Sequence, residues 1–227
     1  MSTQRLIHQL YIASLRTAFH LLYHQFAWTY DAISAMASLG QWRNWQSAAI
    51  PYIRGSDILE LGHGPGHMLL DLAAQGYRPI GLDLSPQMGR MARKRLLGER
   101  HFPNLIRGRS QTLPFGPQSF DTIVATFPTP YIIAPETAVA IHRVLRPGGR
   151  LVIVPEARLT GKGLLNCWLE WLYRITGQRH TNFRQNDINE TYWRATFIGF
   201  GFDVASHLQI LENSEIMIVI AERTAVH

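Results

Sequence analysis

A single cysteine, Cys167, stands among 227 residues, so no internal disulfide can form and stability must come from packing. Its setting reads as a small apolar side chain on a helix face. No run of five like charges occurs, which argues against an acidic or basic interaction tail. No apolar stretch approaches the roughly 18 residues that cross a bilayer. The N-terminus also lacks a compact apolar core with a small-residue cleavage site. The expectation is a cytoplasmic chain, with peripheral contact at the inner face of a membrane as an open option. There is no internal repeat, no low-complexity segment and no expected metal site. Acidic residues are the scarcer charge: 16 Asp and Glu against 22 Lys and Arg give a net +6. Such a balance suits nucleic acid, anionic lipid or plain solubility. The densest basic stretch, 90–95, reads as the solvated face of a helix.

What is present is ordinary globular composition, 46% apolar, in a chain long enough for one α/β domain with an appendage. Strands are predicted near 57–61, 78–82, 104–107, 120–125 and 150–154, and helices near 66–75, 86–97 and 135–145. This alternation argues for a parallel sheet covered on both faces. Two terminal strands, one from Phe202 and one around Ile216–Ile220, are joined by polar Glu212, Asn213 and Ser214 and read as a hairpin. Residues 1–48 carry helical periodicity (Ile7, Tyr11, Leu15, Ala18, Leu22) and are expected to cap the mouth of a site. The rest, 49–227, is read as the main domain with a lid-like insertion at about 158–195. That insertion holds an apolar stripe (Leu164, Leu165, Trp168, Trp171, Leu172, Ile175) and then a basic polar segment at 179–184.

The run Asp57-Ile58-Leu59-Glu60-Leu61-Gly62-His63-Gly64-Pro65-Gly66-His67 is a buried strand breaking into a turn. Alternate glycines there let a ligand approach the backbone, and the helix opening at Gly66 would face that ligand. A dinucleotide fingerprint requires G-x-G-x-x-G. Here the spacing is G-x-G-x-G, and an acid precedes it at Glu60. That carboxylate would repel a pyrophosphate but tolerate the amino group of a methionine moiety. Asp83, at the tip of the next strand, suits the hydroxyls of a ribose. Together these features point to S-adenosylmethionine and away from NAD.

Four blocks then carry a resemblance: E-L-G-x-G-x-G at 60–66, G-x-D-x-S at 81–85, L-P-F-x-x-x-S-F-D at 113–121 and R-V-L-R-P-G-G-R-L at 143–151. In this order and spacing the chain resembles the class I S-adenosylmethionine-dependent methyltransferases. The resemblance implies a Rossmann-like, doubly wound, seven-stranded sheet, mostly parallel, with an antiparallel C-terminal hairpin strand. It also implies N-terminal helices and a helical insertion before the hairpin. The N-terminal Ala27-Trp28-Thr29-Tyr30-Asp31, followed by a Ser/Gly turn and Arg43 with Trp45, is similar to the ubiquinone/menaquinone C-methyltransferases and related phospholipid N-methyltransferases.

On that resemblance Gly62, His63, Gly64 and Gly66 meet the methionine part, Glu60 orients its amino end and Asp83 accepts from the ribose. Leu84 and Met88 sandwich the adenine, Thr126 and Phe127 line the sulfonium pocket, and Tyr30 closes over the cofactor. Family members commonly hold the adenine amine with an aspartate, where this chain has Arg109. An arginine cannot accept a hydrogen bond, so the side chains of Ser110 or Gln111, or the local carbonyls, would substitute. The loop 125–131 is not the Asn-Pro-Pro-Tyr loop of amino-group methylation on nucleic acids or proteins. The implied activity is methyl transfer to a small or lipid-like apolar acceptor, such as a quinone or a phospholipid. Candidates for a general base are His24, His63, Tyr131 and Glu156. Two other classes stay open: a non-catalytic S-adenosylmethionine-binding protein that retains the fold, favoured by Arg109, and a nucleic-acid methyltransferase, favoured by charge alone. Arg5, Arg16, Arg174 and Arg179 beside apolar stretches would suit an anionic membrane surface.

Overall fold

The computed structural model describes residues 38, 40–160 and 186–224. The expected N-terminal helices before Ser38, the 164–175 stripe and the 179–184 segment lie outside the described residues, as do Cys167, His24 and Tyr30.

Five parallel strands form the centre: β1 (Asp57–Leu61), β2 (Arg78–Asp83), β3 (Leu105–Arg107), β4 (Phe120–Thr126) and β5 (Leu145–Val154). They lie in the order β3-β2-β1-β4-β5. The chain steps outward from β1 to β3 and then returns to the other side of β1 with β4. Such a reversal opens a crevice beyond the carboxyl ends of the strands. The hairpin β7 (Phe202–Leu211) and β8 (Ser214–Arg223) adds an antiparallel edge, with β8 on β5 and β7 outermost. One further strand, β6 (Ala157–Leu159), extends the β5 side of β8 past Pro155 and Glu156. It makes the sheet eight-stranded where seven strands were expected. At three residues it is too short to leave an alternation in the sequence.

Strand alternation divides the core into two layers. Leu59, Leu61, Ile123, Ala125, Leu151, Ile153, Met217 and Val219 face one way. Ile58, Val124, Val152, Val154, Ile216 and Ile218 face the other. The first layer is covered by α4 (Pro135–Val144), through Ala138, Ile141 and Val144, and by α5 (Asn186–Phe197), through Trp193 and Phe197. The second is covered by α1 (Trp42–Ser47), through Trp45, and by α2 (His67–Ala74), through Met68 and Leu72. Helix α3 (Pro86–Gly98) follows β2 and buries Met88, Ala92 and Leu96. Pro86 supplies its first turn, and the Ser85 hydroxyl caps it by accepting from the Met88 amide at 3.3 Å. Helix α5 had no counterpart in the sequence reading. Its Trp193 stacks on Phe197, which packs edge-on against Phe202 of β7.

Candidate active site

Beyond the carboxyl ends of β1, β2 and β4 lies a cavity of about 560 Å³, within the range that holds a drug-sized ligand. Sheet order sets its layout. Leu82, Asp83, Leu84 and Ser85 with Gly108, Arg109, Ser110 and Gln111 line the β2–β3 end. Gly62, His63, Gly64 and Pro65 line the middle, and Gln46, Thr126, Phe127, Pro128, Thr129 and Tyr131 the β4 end.

The middle is a turn in which Gly62, Gly64 and Gly66 all have positive φ. Its amides are engaged within the protein: Gly62 N–H donates to the Leu82 carbonyl at 2.7 Å and Gly64 N–H to Asp83 Oδ2 at 2.9 Å. Of the three, only Gly64 has open space at its Cβ position, whereas Gly62 lies against the Tyr131 hydroxyl. At Gly64 an added Cβ would meet nothing within 4 Å. At Gly66 it would sit 2.7 Å from the Ala92 Cβ, and Gly66 does not line the cavity. Gly66 is thus a packing residue between α2 and α3, a correction to its expected place on the ligand.

Glu60 lies directly beneath the turn, fully buried, and among the described residues neither carboxyl oxygen has a hydrogen-bond partner of normal geometry, although the Leu69 backbone acts on it to lower its pKa. Burial raises its pKa well above the ordinary carboxylate value, with further upward push from Asp83 and Asp71. It does not itself line the cavity. His63 is buried, and its Nδ1 lies 2.7 Å from the Gly64 carbonyl. A carbonyl only accepts, so Nδ1 carries the proton. Burial lowers the His63 pKa, although Asp83 opposes the shift. A neutral imidazole held this way braces the turn.

Asp83 is half-buried, and its second oxygen, Oδ1, accepts from the Ser85 amide at 2.8 Å. Beside it Leu84 remains 51% exposed, a large apolar face open to the cavity. Arg109 is exposed at the same end, while Ser110 is buried and lies within hydrogen-bonding distance of Gln111 and Thr137. Met88 does not reach this end. It is fully buried under the first turn of α3 and does not line the cavity, whereas Leu84 does.

At the β4 end, Phe127 has φ +49, uncommon for a residue with a side chain. Its N–H donates to the Val154 carbonyl at 2.7 Å, and its ring stacks on Trp42 at 4.3 Å. Tyr131 lies over Gly62 and donates its hydroxyl to the Leu61 carbonyl at 3.0 Å. Of the four base candidates, His63 and Tyr131 reach the cavity, Glu156 does not, and His24 is outside the described residues. Gln46 was missed. It belongs to a short helix far earlier in the chain, and a lone glutamine carries no signal of its own.

Residues 59–153 match the family described as methyltransferase domain. Over those residues the chain is similar to a methyltransferase domain. It is 32% identical over 128 residues to a demethylmenaquinone methyltransferase of Clavibacter sepedonicus, covering 55% of this chain and 52% of that protein. It is 30% identical over 164 residues to the enzyme of that name from Symbiobacterium thermophilum, covering 66% and 65%. The match thus spans between half and two thirds of the length of these relatives. In fold, the domain is similar to phosphoethanolamine N-methyltransferase 2 of Haemonchus contortus, solved with S-adenosyl-L-methionine. The TM-score there is 0.56 at 16% identity, over 82% of this chain and 53% of that one. Among the described residues no helix is long and apolar enough to cross a membrane.

Proposed function

We propose that this chain binds S-adenosylmethionine in the cavity and transfers its methyl group to a small or lipid-like apolar acceptor. The observation that carries the reading is the order of chemistry along one cavity. Asp83 and exposed Leu84 stand at one end, the turn over buried Glu60 in the middle, and Thr126, Phe127 and Tyr131 at the other. The residues fit the cofactor. Gly64 leaves room against the backbone, and Asp83, which lines the cavity, keeps lone pairs for two hydroxyls. Arg109 cannot accept from the adenine amine, so Gln111, with an amide oxygen at that end, takes the role.

When bound, the cofactor supplies an electrophilic methyl group on a sulfonium. The protein's task is then alignment and exclusion of water. Phe127 and Pro128 present apolar surface where the acceptor arrives, and Tyr131 fixes the Gly62 edge of the floor. A general base is needed only for an acceptor that must lose a proton, and Tyr131 is the candidate that both lines the cavity and holds a hydroxyl there. The names of the curated relatives favour a quinone-type acceptor. A lipid-soluble acceptor together with a net charge of +6 supports peripheral contact with anionic membrane.

Calorimetry should show S-adenosylmethionine and its demethylated product binding at one site, with NAD silent. A radiolabelled methyl-transfer screen over quinones, phospholipids, amines and tRNA should give product with the first two classes. Binding of NAD in place of the cofactor, or label only on tRNA, would overturn the reading. Anionic vesicles should retain the protein at low salt and release it at high salt; no retention removes the membrane part alone.

A further inference from the structure

We infer that Gln46 reads the acceptor, selecting a flat apolar molecule that carries a hydroxyl or N–H donor. The inference rests on the methyltransferase reading above and names what the β4 end of the cavity recognises. Gln46 is only 7% exposed, yet it lines the cavity. Its Nε2 donates to Thr126 Oγ1 at 3.1 Å, while its Oε1 is buried and has no hydrogen-bond partner among the described residues. A buried amide oxygen without a partner is costly, and in a native fold it calls for an explanation. Gln46 as a residue lines the ligand cavity, so a donor on the ligand that approaches its amide is the missing partner.

The surroundings define the rest of the acceptor. Phe127 lines the same end, and its ring is backed by Trp42 at 4.3 Å and Trp45 at 6.2 Å. Trp45 is itself fixed through Nε1, which donates to Ser214 Oγ at 3.0 Å. This is a rigid aromatic wall, suited to a planar ring. Thr126 holds the Gln46 amide by one end and leaves the other for the ligand. A planar acceptor against Phe127 with its donor on Gln46 Oε1 is fixed in both tilt and rotation, which an apolar wall alone does not achieve.

The probes are 2-naphthol, which has a donor, and 2-methoxynaphthalene, which has none. Each is titrated into the full chain with and without S-adenosylhomocysteine, followed by tryptophan fluorescence. The wild type should bind 2-naphthol about tenfold more tightly, the scale of one buried hydrogen bond. Gln46→Met should lose the preference, and Gln46→Glu, which keeps an acceptor oxygen, should retain it. Circular dichroism on all three proteins checks that each variant is folded. Equal affinity for both probes, binding of neither, or a preference that survives in Gln46→Met overturns the inference. Should Gln46→Met not fold, the wild-type ratio together with Gln46→Leu decides. If S-adenosylhomocysteine fails to bind the wild type, the cofactor reading falls, and the probe ratio without it still tests Gln46.

Discussion

Glu60 and Asp83 are both carboxylates at strand ends, yet their surroundings give them different duties. Asp83 braces the turn through the Gly64 and Ser85 amides, so its removal should cost both turn geometry and ligand. Asp83→Ala should weaken S-adenosylhomocysteine binding by roughly 1–3 kcal/mol, with Asp83→Asn in between; unchanged affinity in calorimetry would put the ribose elsewhere. Glu60 is buried without a hydrogen-bond partner of normal geometry among the described residues, and its pKa is raised by burial first and by Asp83 and Asp71 second. The native state therefore holds a proton that the unfolded chain has already released. Stability then falls as pH rises from the ordinary carboxylate range through the native pKa, by about 1.4 kcal/mol per pH unit in that window. Glu60→Gln, which cannot ionise, should flatten this slope in thermal denaturation followed upward in pH from the ordinary carboxylate range. A mutant with the wild-type slope would mean that Glu60 is ionised in the folded chain.

Two glycines in one turn separate function from packing at the level of elements. Gly64 has φ +51 and open space at its Cβ position, whereas a Cβ on Gly66 would strike Ala92 of α3. Gly64→Ala should cost about 1 kcal/mol of stability, from the strained φ alone, and lose most cofactor affinity. Gly66→Ala should cost roughly 1–3 kcal/mol through overpacking of α2 against α3. Urea denaturation and calorimetry on the pair check this, and full cofactor binding by Gly64→Ala would refute close backbone approach. The turn was legible because its glycines follow an apolar strand. Which glycine faced the ligand and which faced α3 was not, since that depends on how the two helices cross. Met88 and α5 follow the same logic: helical rotation, set by tertiary contact, turned Met88 into the core and put Trp193 and Phe197 under the sheet.

Across the whole molecule the two ends of the sheet divide the work. Opposite the cavity, Asp121 accepts from the Ser56 and Asp57 amides at 2.9 and 3.0 Å and from Arg146 at 2.5 Å, while Arg146 also reaches Asp57 at 3.0 Å. Burial acts to raise the Asp121 pKa, but the Asp57 amide, Arg146 and the Ser56 amide outweigh it and hold the pKa below its ordinary value. The unfolded state then binds the proton first. This contribution is present above the unfolded pKa, near 4, and is lost as pH falls through the lower native value. The site is partly open to solvent, so Asp121→Asn should cost only about 1 kcal/mol at neutral pH and flatten the acid limb of the stability profile. Cofactor affinity should not change. An unaltered acid limb would assign acid unfolding to other carboxylates.

The sequence by itself determined the five parallel strands, the terminal hairpin, the glycine turn and Asp83, because each rests on local periodicity or on residues a few positions apart. Thr126 and Phe127, which only the family resemblance had singled out, both line the cavity. Only the tertiary structure decided that Gln46 stands beside Thr126, that Trp42 backs Phe127, that Glu60 is left without a hydrogen-bond partner of normal geometry among the described residues, and that Glu156 stays off the cavity. Those outcomes come from crossings between segments far apart in the chain, where the direction of a side chain is set by what packs against it and not by its neighbours in sequence.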